Sequence, residues 1–218
     1  MSDANRLTNQ IAQTLAGQIL SGEWAIGEKL PSDQSLCTTH NVSRTVLREA
    51  LRVLGAKGLI TARPRVGTLV AARTDWALWD RDVLAWLEKC QTEELLHDIA
   101  TDILDMRLAL EPALAALASS RATTEDKQSL QACLRDLQAT PTLAHEQAFL
   151  RCLYQLSGNQ FGAYASHLAC WAIAQRETAP PLRAYAALTA AISQAASFEA
   201  RQCAIDTLMQ ELPDAAPA

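Results

Sequence analysis

The sequence predicts a mainly α-helical chain in two parts, an N-terminal winged helix-turn-helix and a C-terminal all-α helical bundle. Three observations carry this prediction. Two short amphipathic segments separated by an asparagine precede a small hairpin, and apolar residues then recur at helical spacing almost without interruption from about residue 80 to residue 212. Charge also divides along the chain. Of the 218 residues, which carry a formal net charge of −5, residues 1–74 hold nine Lys and Arg against five Asp and Glu, and the rest hold ten against nineteen. A local basic patch rather than the total governs affinity for nucleic acid, so a basic module ahead of an acidic one is compatible with DNA binding.

Each element follows from its residues. Leu7, Ile11, Leu15, Ile19 and Leu20 form one stripe of a helix that Gly22 ends. GEWAIGEKLPSD, with two glycines and a proline, is a connecting loop, and Ser32 or Asp33 can cap the next helix over residues 34–40. Asn41 suits the left-handed turn that closes it. Ser43 caps a second helix in which Val46, Leu47, Ala50, Leu51 and Leu54 make the apolar face and Arg44, Thr45, Arg48 and Arg52 project from the other side. After Gly58, LITAR and GTLVA flank Pro64, Arg65, Val66 and Gly67 as a hairpin, the wing. The expected domains are 1–74 for DNA binding, 75–79 as linker and 80–218 as the helical domain, with helices at 80–90, 92–119, 123–138, 142–156, 159–177, 181–196 and 198–212. Alanine-rich stretches such as LALEPALAALASS fit close helix packing.

Several function classes are set aside by composition. No signal-like h-region and no run of 18 apolar residues is present, so a soluble cytoplasmic protein without membrane attachment is expected. Six cysteines without a CxxC pair read as reduced core thiols rather than a zinc site or a disulfide framework. Glu146, His145 and Tyr185 are conceivable acid-base groups, but no nucleophile, phosphate loop or ordered metal set accompanies them, so the chain is not read as an enzyme.

A recognition helix presents short polar and guanidinium side chains to base edges and phosphates, and SRTVLREALRVL supplies them near its N-terminal end. The run from LAGQILSGEW to VGTLVA, with its GEKLPS loop, VSRTVLREAL, KGLI turn and GTLV strand in order, resembles the winged helix domain of the GntR family of bacterial regulators. The resemblance implies that Arg44 and Arg48 contact bases or backbone in the major groove, that Ser43 and Thr45 bind phosphate, and that Gly67 with the wing enters the minor groove. Arg52 on the recognition helix, Arg63 and Arg65 on the wing, and Gln34, which stands where some relatives carry a basic residue, complete the expected DNA-binding set. It further implies a homodimer on a palindromic double-stranded operator, with repression as the default direction.

In the second half, DMRLALEPALAALASSRAT and EQAFLRCLYQLSGN resemble the helical ligand-binding domain of the FadR subfamily, called FCD, and WALWDRDVLAWLE is similar to the entry segment of its sugar-acid, galactonate-type regulators. Packing is the other reading of Trp76, Trp79 and Trp86, which would fasten the linker onto the bundle. Many members hold a divalent metal with a carboxylate and three histidines. Here Glu146 takes the carboxylate position while Leu150, Tyr185 and Thr207 stand for the histidines; leucine cannot ligate and the hydroxyls ligate poorly, so no metal is expected. The spacing of His97, His145 and His167 suggests no shared face. By resemblance, Arg107 reaches a cavity beside Glu146 and Tyr185 and would receive a small carboxylate effector; read by spacing alone, Arg107 pairs with Glu111 one turn on. The segment between Asn159 and Tyr185 is shorter than is usual for the family. The alternative is a DNA-binding dimer whose second domain serves only assembly and has lost sensing.

Overall fold

The computed structural model describes residues 3–90, 92–176 and 178–211, which form ten α-helices and one two-stranded sheet. In the expected helices 159–177 and 198–212, residues 177 and 212 lie outside the described residues, as does the tail to 218. Contacts divide the chain into two compact units, Met1–Leu96 and His97–Ala218.

In the first unit, α1 (Asp3–Leu20), α2 (Asp33–His40) and α3 (Arg44–Ala56) precede strands β1 (Ile60–Arg63) and β2 (Gly67–Val70), and α4 (Arg81–Cys90) follows. Local rules set most boundaries. Ser32 caps α2 by accepting from the Ser35 amide, and Ser43 caps α3 by accepting from the Val46 amide. Between them Asn41 takes φ 52°, and its amide reaches back to the Cys37 and Thr38 carbonyls, closing α2 in the left-handed conformation its short polar side chain tolerates. The strands pair antiparallel from Ile60 opposite Val70 to Arg63 opposite Gly67, and Lys29 bridges to Leu69 on the far side. Ile11, Leu15 and Ile19 from α1, Leu36 from α2, Leu47 and Leu54 from α3, and Leu59 and Val70 beside the hairpin are buried as its core.

The division after Leu96 falls later than the expected linker at 75–79, and the reason is packing. A short 3-10 turn, Arg73–Asp75, leads into α4, whose Val83, Leu84, Trp86 and Leu87 are buried as it lies along α1. Trp76 is buried, its indole N–H donating to the Ala71 carbonyl at 3.3 Å, and the Trp86 ring lies 5.3 Å below the Lys57 ammonium. These two tryptophans therefore hold the segment after the wing within the first unit. Trp79 is half exposed.

The second unit contains α6 (Thr124–Ala139), α7 (Leu143–Leu156), α8 (Gln160–Ala174), α9 (Leu182–Ser193) and α10 (Ser197–Met209), together with most of the long α5 (Glu93–Arg121). Thr123 and Asp126 form a reciprocal capping box at α6, and Thr142 and Asn159 cap α7 and α8. α7 packs between α6 and α8, and α9 between α6 and α10, around a core that includes Leu134, Phe149, Leu150, Tyr185 and Ile192. Small residues bring helices close: a Cβ on Gly162 would meet a Leu114 methyl at 2.7 Å. Among the described residues no helix is long and apolar enough to cross a membrane.

Candidate functional site

The first candidate surface is the exposed side of α3 with the wing. Its apolar positions Leu47, Ala50 and Leu54 are buried, which fixes the rotation of the helix and leaves Arg44, Thr45, Arg48 and Arg52 exposed. Arg44 Nη2 donates to Gln34 Oε1 at 2.8 Å, so two expected residues from α2 and α3 meet. Arg48 lies 4.0 Å from Asp33 and Arg52 3.0 Å from Glu49, both pairs at least half exposed and therefore weak restraints on guanidinium groups that remain displayable to an anion. Ser43 Oγ accepts from the Val46 amide, and its hydroxyl proton remains to be donated elsewhere. On the wing Arg63, Arg65 and Gly67 are exposed, with Arg65 at φ 66° and Gly67 at φ 118°; a Cβ at position 67 would meet the Lys29 side chain at 2.8 Å.

Behind this surface, Lys57 Nζ holds Asp80 at 2.6 Å and Asp82 at 2.8 Å, while the Lys57 carbonyl accepts from the Ala77 amide. Burial opposes the charge on Lys57, yet the two carboxylates outweigh it and raise its pKa; burial likewise opposes ionisation of Asp80, yet Lys57 and the amides of Asp82 and Val83 lower its pKa.

The second candidate site is a polar network inside the bundle. Arg107, Glu111, Glu146, Tyr154 and Tyr185 are each 3% exposed or less, and the side chains of Arg176 and Glu211 9% and 4%. Arg107 Nε donates to Glu111 at 2.6 Å, and its two terminal nitrogens grip the Glu211 carboxylate at 2.6 and 3.1 Å. The Tyr154 hydroxyl donates to Glu111 at 2.5 Å. Arg176 Nη2 spans both oxygens of Glu146 at 2.7 and 2.8 Å, and the Tyr185 hydroxyl donates to Glu146 at 2.7 Å and lies 3.5 Å from Glu211. Burial lowers the affinity of Arg107 for its proton, but Glu111 and Glu211 more than reverse this; burial and the nearby carboxylates hold both phenols well above their ordinary range, so they serve as donors.

The structure thus joins the expected Arg107, Glu146 and Tyr185 in one network, in which Arg107 pairs with Glu111, as its spacing predicts, and also with Glu211. Arg176 and Glu211 are the members that sequence reasoning missed. Glu211 lies two residues beyond the end of α10, where no helical spacing points to it. Arg176 follows the end of α8 and likewise carries no such signal.

Comparison with known proteins bears on both sites. Residues 7–70 match the description "Bacterial regulatory proteins, gntR family", and residues 102–204 the FCD domain. The chain is 34% identical over 162 residues, 71% of its own length and 69% of the other, to the uncharacterized HTH-type transcriptional regulator YieP of Escherichia coli K12. The chain belongs to the GntR family. This GntR regulator is also 33% identical over 130 residues to the galactonate operon transcriptional repressor of the same strain, 60% of this chain and only 56% of that one. Lar of Listeria monocytogenes, which controls expression of that organism's agr system, shares the fold with a TM-score of 0.58 at 14% identity, over 96% of this chain and 94% of that one. The family and these relatives are transcriptional regulators, not enzymes.

The donors at the metal position implied by the FCD resemblance do not fit a metal ion. Leu150 is fully buried in the apolar core and offers no ligand. The Thr207 hydroxyl donates to the Cys203 carbonyl at 2.7 Å, the Tyr185 hydroxyl donates to Glu146, and the Glu146 carboxylate faces the Arg176 guanidinium. Among the described residues no group of three His, Cys, Asp or Glu side chains is arranged to hold a metal. His145 and His167 instead bond the local carbonyls of Thr140 and Tyr164. The six cysteines form no disulfide; Cys37 and Cys170 are buried and the others half-buried.

Proposed function

We propose that this GntR regulator is a homodimeric repressor that reads a palindromic operator through α3 and the wing, and that its helical domain senses a small carboxylate without a metal ion. In this reading Arg44, Arg48, Arg52 and Gln34 face the major groove, Ser43 and Thr45 hold phosphate, and Arg63, Arg65 and Gly67 enter the minor groove. Arg107, Glu146 and Tyr185 form the effector site. Effector binding lowers affinity for DNA by favouring a second conformation of the dimer. The similarity to a galactonate operon repressor puts sugar acids first among the ligands to be tried.

One observation carries the sensing part: the Arg107 guanidinium is buried and grips a carboxylate through a two-pronged fork, a geometry that recognises carboxylate anions in general. The same network supports a second reading, since its charges already pair internally and a helical domain used only for assembly would need no more. Chelator-treated protein melted against sugar acids and hydroxy acids separates the two. A ligand saturating the site at about a hundred times its Kd raises stability by about 2.7 kcal/mol, and this shift should vanish in Arg107→Met. Absence of any shift across the series supports assembly alone.

A further inference from the structure

We propose that Glu211 is a tethered stand-in for the effector: its carboxylate occupies the position that a small hydroxycarboxylate takes, and the ligand binds by displacing it. The inference rests on the carboxylate-sensing reading above. Its basis is the pairing of charges inside the bundle. Arg107 has a partner in Glu111 from its own helix, and Arg176 has one in Glu146. Glu211 is the third carboxylate against two guanidinium groups, and it lies across the free ends of both. It takes two nitrogens of Arg107 at 2.6 and 3.1 Å, while Arg176 Nη1 stands off at 3.4 Å and the Tyr185 hydroxyl at 3.5 Å. Two cations and a phenol converging on one carboxylate are the donor set that a free carboxylate would use.

Two features separate Glu211 from a fixed structural ion pair. The first is its place in the chain. Glu111 and Glu146 lie inside α5 and α7, whereas Glu211 follows the C-cap of α10, with its amide donating in a turn to the Leu208 carbonyl. Frayed helix ends open at low cost, so Glu211 can leave where the other two cannot. The second is Arg176 Nη1, which is buried and has no hydrogen-bond acceptor. A buried guanidinium N–H without a hydrogen-bond acceptor is uncommon, and Glu211 meets this one only as an ion pair at 3.4 Å, outside hydrogen-bond geometry. A ligand whose carboxylate sits on Arg107 and whose adjacent carbon bears a hydroxyl offers the missing oxygen. An occupant on its own chain competes at an effective concentration of about millimolar or more, which sets the threshold a free ligand must overcome.

The test compares full-length wild type with Glu211→Ala and Glu211→Gln by thermal melting against propionate and lactate, with chloride at equal ionic strength as control. Glu211→Ala is expected to respond at concentrations lower by about tenfold or more than wild type, and more strongly to lactate than to propionate. Glu211→Gln keeps the shape without the charge and should fall between, which protects the comparison if the alanine variant folds poorly. If wild type and both variants respond equally, and Arg107→Met abolishes the response, the site takes carboxylates but Glu211 is not its occupant, and the inference fails alone. If neither anion stabilises any of them beyond chloride, both the inference and the reading beneath it fall. A variant response to propionate equal to that for lactate removes the role given to Arg176 Nη1.

Discussion

The Arg107 guanidinium donates to the Glu211 carboxylate at 2.6 Å across 104 residues of sequence, tying the middle of α5 to the end of α10 inside the bundle. Both groups are buried, so removing the arginine leaves carboxylates without their partner away from water.

Arg107→Ala is accordingly expected to lower the unfolding free energy by about 3–5 kcal/mol, because it strands Glu111 and Glu211 in a desolvated site. Urea denaturation followed by circular dichroism measures this. A loss below about 1 kcal/mol would show that water reaches the network and that its charges are not interdependent.

On the DNA-binding surface the expectation is the reverse, a functional loss with little structural cost. Arg44→Ala and Arg48→Ala should each weaken specific operator binding by about 1–3 kcal/mol while leaving stability within about 0.5 kcal/mol, since both side chains are exposed. An operator selected from random duplexes with the wild-type protein supplies the probe for the gel-shift titration. Normal binding by both variants would remove α3 from the interface.

Gly58 has φ 72°, and a Cβ there would lie 1.9 Å from the Asp75 carbonyl oxygen. Gly58→Ala should therefore destabilise the first unit by more than the roughly 1–3 kcal/mol of left-handed strain alone, with a matching drop in melting temperature. Gly55→Ala, with open space around it, is the control and should be near neutral.

The Lys57 and Asp80 pair gives a pH signature of known sign. Asp80 has a pKa below its ordinary 3.8 when folded, so its contribution is present above that value and lost as pH falls through the depressed one. Lys57 has a pKa above its ordinary 10.5, so its contribution is present below that value and lost as pH rises through the elevated one. The stability gap between wild type and Asp80→Asn should thus be flat near neutrality and shrink in acid and in strong base. A gap that widens on acidification would have the wrong sign.

Residues governed by local rules were legible in the sequence: Ser43 caps α3, Asn41 takes the left-handed turn, and the hairpin closes at Gly67, each a consequence of neighbours within a few positions. The helices of the bundle were legible because apolar spacing repeats within each. What escaped depended on tertiary placement. Trp76 and Trp86 read as anchors, but an aromatic side chain does not say which core it joins. Arg107, Glu146 and Tyr185 were found through family resemblance, whereas Arg176 and Glu211 join them only because the chain folds back on itself. The ends of α8 and α10 carry no periodic signal that would place them there.

Release of bound DNA by a small carboxylate is the measurement on which the functional reading turns most directly. Protein stripped with EDTA and loaded on its selected operator should let go when a sugar acid or hydroxy acid is added, and Arg107→Met should stay bound. Release that requires added zinc or nickel, or that proceeds unchanged in Arg107→Met, would contradict metal-free sensing through the buried arginine.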